Sequence, residues 1–226
     1  MDFNFTKSHT LPDTQRVVSV KEFFDVQGNT ITEEFKGSLP LDFDWNVGLI
    51  IGDSGTGKTT IVRELFPNDY PEPIQYEKPS VIDDFPSDKS IDDVVEMLVG
   101  VGFSSPPSWL KPYSVLSMGE RMRCDLTYYL LQDRDLIIFD EFTSVVDRTT
   151  ARYGSEVLAK KIRKQNKKFI GVSCHSDIVD FMNPDWVFDT NTMTFYTPEK
   201  KKSITNSTFS RQRINQLGSY LGSITI

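Results

Sequence analysis

Eight consecutive residues, Gly52-Asp53-Ser54-Gly55-Thr56-Gly57-Lys58-Thr59, fit the pattern GxxxxGK[ST]. Glycines at these places let a backbone close around phosphate oxygens. The loop amides and the N-terminus of a following helix supply partial positive charge. Lys58 is then placed to reach the β- and γ-phosphates of a nucleotide, and the Thr59 hydroxyl to ligate Mg²⁺, with Thr60 closing the loop. A second constellation lies at Asp135-Leu136-Ile137-Ile138-Phe139-Asp140-Glu141, an apolar run ending in two acids. Acids often end strands as plain solvated caps. Beside a phosphate loop, however, Asp140 suits Mg²⁺ and Glu141 can polarise an attacking water. The ligands these residues call for are ATP and Mg²⁺, and the chemistry is hydrolysis, with Glu141, Lys58 and Asp140 at its centre.

Such residues act only if strands and helices bring them to one edge. Val47–Ile51, Leu136–Phe139 and Phe169–Ser173 are short apolar runs, as buried parallel strands are. Helices are expected over Thr59–Leu65, Ile91–Val99, Gly119–Leu131 and Thr149–Lys164. Alternating strands and helices imply a parallel sheet covered on both faces, with ligands at the carboxyl ends of its strands. Both constellations start at such an end. Ahead of them, residues 1–15 are polar and read as loose. Val17–Val26 reads as a strand, Gly28-Asn29 as a turn and Thr30–Phe35 as a returning strand. Pro67–Pro86 holds five prolines and reads as an irregular connector, and Pro106-Pro107 as a second break. The expected fold class is α/β: a parallel sheet core with an N-terminal antiparallel β-subdomain.

Three further motifs follow in fixed order. Leu116-Ser117-Met118-Gly119-Glu120-Arg121 resembles the LSGGQ signature of ABC-type ATPases, Thr143-Ser144-Val145-Val146-Asp147 their D-loop, and His175 their switch histidine. The resemblance covers roughly residues 15–190. It implies a P-loop NTPase with an ABC-type head, working as an ATP-dependent, head-to-tail homodimer with two nucleotides between the subunits. Ser117, Gly119 and Glu120 then belong to the nucleotide site. Ser117 and Gly119 contact the γ-phosphate held by the other subunit's loop, Asp147 crosses the interface and His175 senses the γ-phosphate. An aromatic side chain upstream of the loop stacks on adenine; Phe24 is the choice, with Phe23 beside it, though either also suits a core.

The stretch between Lys58 and Leu116 is short for that family, so the helical insert, about residues 67–131, is reduced. Gln75 is the only glutamine in it, and Val81-Ile82-Asp83-Asp84-Phe85-Pro86 looks more like the position where transporter subunits carry their coupling glutamine. Asp83 or Asp84 would then face the metal or the water. Pro106–Tyr113, Asp140–Arg148, Cys174–Asp180 and Pro184-Asp185-Trp186 resemble a soluble group of phage and prokaryotic ABC-type ATPases, often fused to a predicted GNAT acetyltransferase domain. No such region is present here, which implies a separate acyltransferase-like partner and a role in nucleic-acid modification or remodelling. A transporter's nucleotide-binding subunit and a dimerisation switch with little turnover are the competing readings.

Composition narrows the setting. The net charge of −7 gives no global case for binding nucleic acid. Residues 196–226, a basic tail after an ATPase domain over 1–195, are net +4, leaving −11 for the remainder. Lys160, Lys161, Arg163, Lys164, Lys167 and Lys168 crowd one helix end, as a solvated face or a phosphate-backbone contact. Cys124 and Cys174 lack metal-site spacing and read as reduced thiols. No apolar run approaches a membrane span. The chain is therefore expected in the cytoplasm (the host's, if phage-encoded) and without membrane insertion.

Overall fold

A computed structural model describes residues 1–142 and 148–199. Its centre is a five-stranded sheet in the order β4-β5-β3-β6-β7. β3 (Val47–Ile51), β4 (Leu136–Phe139), β5 (Lys168–Ser173) and β6 (Trp186–Asp189) run parallel, and β7 (Thr194–Tyr196) returns antiparallel to β6. β3 is buried at all five residues. It is central because both faces of the sheet are covered: Val47, Leu49 and Ile51 enter one core cluster and Ile50 the other. Asp185 fixes where it starts, since Oδ2 accepts from the amides of Asn46 and Val47 at 2.9 Å each.

One face is covered by α4 (Ile91–Gly100), α6 (Met118–Leu131) and α7 (Arg148–Lys164), with the short helices α3 (Val81–Asp84), α5 (Pro106–Trp109) and α8 (Ile178–Met182) between them. Caps set two of these starts. The Ser90 hydroxyl accepts from the Asp93 amide at the head of α4, and Ser117 does the same for α6. Pro106 and Pro107 open α5 rather than break the chain, as a first turn that needs no amide donor allows.

The other face carries α2 (Lys58–Leu65) and an antiparallel pair, β1 (Asp2–Thr10) with β2 (Thr30–Ser38). The N-terminus departs from the sequence expectation here. Residues 2–10 are a strand, not a loose end. Only Phe3 and Phe5 of its nine residues are apolar and large, but they alternate, and they pack with Phe35 and Phe188. With β2 paired to β1, Val17–Val26 has no ladder to join. Thr14 caps it and residues 15–23 form α1 (Gln15–Phe23), which buries no side chain. The returning strand, Thr30 onward, is present but pairs with residues 2–10.

Candidate functional site

The phosphate loop leaves the C-terminal end of β3 and enters α2, in the strand-then-helix context its chemistry requires. Gly57 is the N-cap of α2 with φ +81°, and a Cβ there would lie 2.1 Å from the Phe35 ring. Only glycine satisfies both conditions. Lys58 is buried, and its ammonium donates to the carbonyls of Gly52 at 2.9 Å and Asp53 at 2.6 Å. The loop thus curls around its own lysine. Its outer side is held by the turn between β6 and β7. Thr190 shares a 2.5 Å hydroxyl contact with Thr56, and Asn191 Oδ1 accepts from the Asp53 amide at 3.0 Å. Ser54 and Gly55 form the exposed tip, and Thr60 lies half-buried in the first turn of α2.

β4 delivers Asp140 to the same edge. The Thr59 hydroxyl donates to Asp140 Oδ2 at 2.7 Å, joining the two constellations 81 residues apart in sequence. Oδ1 of Asp140 accepts from the Glu141 amide at 2.9 Å. Glu141 is exposed and adopts φ +55°, a left-handed conformation costing a side-chain-bearing residue about 1–2 kcal/mol. Held strain of this kind clusters at functional positions. It turns the chain sharply between Asp140 and Phe142, which is buried and whose amide donates to Val172 O at 2.8 Å.

A hydroxyl and a carboxylate in contact, beside a phosphate loop, are hard oxygen donors of the kind Mg²⁺ takes while keeping water and phosphate oxygens in its other positions. Among the described residues no group of three or more His, Cys, Asp or Glu forms a metal cage.

The connector reaches this corner, but not through the expected acids. Asp84 Oδ1 accepts the amides of Glu77 and Lys78, and Asp83 accepts from the Ser80 hydroxyl, so both serve turns of the connector itself. Tyr70 instead donates its phenol to Asp140 Oδ2 at 2.7 Å. Burial first, and then the Asp140 carboxylate, push the Tyr70 phenol above its ordinary pKa. A cavity of about 680 Å³ opens beside it, lined by Arg63, Tyr70, Asp125, Tyr129 and Asp140 among others. Asp125, on α6, is raised by burial, and Tyr113 donates to its Oδ2 at 3.0 Å.

The signature residues sit at the start of α6. Ser117 is the N-cap. Its amide and hydroxyl donate to Glu120 Oε2 at 2.9 and 2.8 Å, and it accepts from the Glu120 amide at 3.4 Å, a complete capping box. These bonds hold the Glu120 carboxyl below its usual range. Gly119 lies half-buried in the same turn, its carbonyl accepting from Arg123 at 3.1 Å. Among the described residues the signature bonds to itself and to the Tyr113–Ser114 turn, not to the phosphate loop of its own subunit. His175 lies half-buried just past β5, its amide donating to Ser173 Oγ at 3.1 Å. Phe23 and Phe24 are exposed at 82% and 68% at the end of α1, edge-to-face with one another. Asp147 and the other D-loop positions after Phe142 lie outside the described residues, as does the tail from residue 200.

Sequence reasoning missed Tyr70, Thr190 and Asn191. None stands in a motif, and their role depends on tertiary contact alone. The basic cluster on α7 is largely engaged in structure. Arg163 donates to Met182 O and Asn183 O, Lys167 to Leu130 O and Gln132 O, Lys161 pairs with Glu96, and Lys168 lies over Trp45. Lys160, Lys164 and Lys168 are the exposed members.

The structure aligns with MJ0796, a bacterial ABC transporter cassette solved as a dimer (TM-score 0.54, 15% identity, covering 70% of this chain and 87% of that one). It also aligns with the MJ0796 dimer bound to ADP and Pi in a post-hydrolysis state (TM-score 0.59, 14% identity, 90% and 99%). The fold is that of an ABC-type ATPase. CbiO1 of Clostridium perfringens, part of an ABC transporter complex, shares the cassette (TM-score 0.53, 19% identity, 86% and 91%). By sequence, the ribosome protection protein VmlR of Bacillus subtilis (strain 168) is 26% identical over 131 residues, which is 49% of this chain; the match spans only 24% of that protein's length. No family model matches the chain. No helix among the cassette's described residues is long and apolar enough to cross a membrane.

Proposed function

We propose that this chain binds ATP with Mg²⁺ and hydrolyses it in a head-to-tail homodimer. The observation that carries the reading is the 2.7 Å bond between Thr59 and Asp140, which assembles a metal corner from two distant motifs. Magnesium, when bound, neutralises charge on the β- and γ-phosphates. Around it, Lys58 leaves its two loop carbonyls for the phosphates, Thr59 and Asp140 hold the metal, and Glu141 orients the attacking water. The partner copy's Ser117 and Gly119 contact the γ-phosphate, with Glu120 beside them in the nucleotide site, Asp147 at the interface, His175 as sensor and Phe24 against the adenine. Ser117 already caps a helix N-terminus, where an anion is favoured.

The process served is nucleic-acid modification or remodelling in the cytoplasm, with a separate acyltransferase-like partner. The support is the four unusual segments shared with soluble ATPases of that kind, together with the reduced insert. The likeness to a ribosome protection protein favours a second target, the ribosome. Light scattering of Glu141→Gln with Mg²⁺, with and without ATP, tests the core reading: the expected result is a dimer only with ATP. No ATP-dependent change with binding intact would defeat the homodimer and point to a hetero-partner, as a transporter subunit requires. Slow wild-type turnover with dimerisation intact would favour a switch. Adding DNA, RNA or ribosomes to the trapped dimer, and a pull-down for the acyltransferase, separate the targets.

A further inference from the structure

We infer that Tyr70 is a positioning residue for the metal-holding carboxylate, its phenol fixing Asp140 from the proline-rich connector so that the connector's place and metal affinity are linked. This rests on the Mg²⁺ reading of Thr59 and Asp140. An ionised carboxylate has about four acceptor positions. Three are in use: Tyr70 and Thr59 donate to Oδ2, and the Glu141 amide donates to Oδ1. The fourth, on Oδ1, is left to accept from the metal's water shell. Without the phenol, Oδ2 is held by Thr59 alone, whose oxygen must also face the metal. The carboxylate can then rotate, and ordering it opposes metal binding.

The phenol is itself firmly placed. The Tyr70 amide donates to Phe66 O at 2.9 Å, at the end of α2, and the Arg63 guanidinium lies 4.5 Å from the ring centroid. Two residues further on, Glu72 O accepts from the Tyr129 phenol of α6 at 2.9 Å. Three residues of connector therefore join the signature helix to the metal carboxylate. Asp83 and Asp84 are bonded within the connector, so Tyr70 is the side chain through which this segment touches Asp140.

The probe is Mn²⁺, its free concentration read by electron paramagnetic resonance in the presence of saturating ADP. Tyr70→Phe is expected to weaken Mn²⁺ roughly tenfold, the scale of one hydrogen bond to a charged group. ADP affinity in EDTA should stay within about twofold, since the phenol touches no phosphate-loop residue other than through Asp140 and Thr59. Unchanged or tighter Mn²⁺ in Tyr70→Phe overturns the inference, tighter binding meaning that the phenol competes with the metal. Asp140→Asn is the control for the underlying reading: if it leaves Mn²⁺ unaltered, the metal assignment itself fails. Thermal melting in EDTA checks folding. Should Tyr70→Phe not fold, Tyr129→Phe releases Glu72 without touching Asp140. A two- to threefold weakening of Mn²⁺ is then expected, and no change removes the link between connector and metal.

Discussion

The phosphate corner and the signature end are built to different standards. At the corner, four strands converge on one edge, Lys58 and Asp140 are each held by at least two bonds, and a second turn braces the loop from outside. The signature end is an exposed helix start whose serine is satisfied by a carboxylate three residues away, with Met118 and Val115 left 65% and 63% exposed beside it. The corner's bonds are all made within the described residues of one chain. The signature end is closed only provisionally, by an acid that occupies the donors a phosphate would need. On the proposed reading, the difference assigns nucleotide binding to one subunit and makes turnover await a second.

Changes at the two regions should therefore separate binding from assembly. Glu141→Gln, at the junction, should lower turnover by roughly 100- to 10,000-fold, as loss of a positioned base does, while ATP affinity measured by titration holds. Equal losses in both would erase the distinction between the halves. Lys58→Ala should weaken ATP by roughly 100-fold or more, because two loop carbonyls and the phosphates lose their only ammonium in the loop; equilibrium dialysis checks this on the monomer. Gly57→Val forces a side chain into Phe35 at φ +81°. It should cost about 3 kcal/mol in chemical denaturation, from overpacking plus left-handed strain, and nucleotide should not restore it. Ser117→Ala should cost only about 1 kcal/mol as a lost cap and leave ATP binding intact, yet abolish ATP-dependent dimers in light scattering. Intact dimers would mean that the signature hydroxyl does not reach the partner's nucleotide.

The smallest effect belongs between the two regions. Burial raises the Asp125 carboxyl, so the folded state holds its proton more tightly than the unfolded state. Its contribution is favourable at low pH and is lost as pH rises from the usual carboxyl range through the folded value. Asp125→Asn keeps an acceptor for Tyr113 and removes the buried charge. It should raise Tm at pH 7 by about 2–4 °C, what 1 kcal/mol does in a chain this size, with the gain shrinking in acid.

The site was legible in sequence wherever chemistry demands a local pattern. Gly52–Thr60, Asp140 and Glu141 announce themselves because phosphate wrapping and metal binding need particular residues at fixed spacing, and β3 and β4 because burial on both faces makes an unbroken apolar run. The N-terminal subdomain is antiparallel as expected, but its first strand lies at residues 2–10 with only two large apolar residues among polar ones, while Val17–Val26, rich in β-branched residues, falls largely in a helix that buries nothing. β6 and β7 gave too little: Trp186 is fully buried beneath Gly48, but four residues ending at Asp189 show no period. Tyr70 was invisible for another reason. Its partner is 70 residues away, and a tyrosine among prolines has no spacing to read.

α1 has a consequence of its own. A nine-residue helix with no buried side chain contributes little to the molecule's cooperativity. Its anchors are peripheral: the Leu11 amide on Asn29 O, and the Lys21 ammonium on the Asn29 side chain. Among the described helices it is therefore expected to open more readily than those packed on the sheet, a difference hydrogen exchange would read. A backbone cut at Lys21 would leave both strands of the hairpin paired and the phosphate corner untouched. Local fraying, proteolytic nicking or an inserted reporter at Lys21 is therefore expected to leave the fold around the Gly52–Thr59 loop intact, while disturbing Phe23 and Phe24 at the helix end.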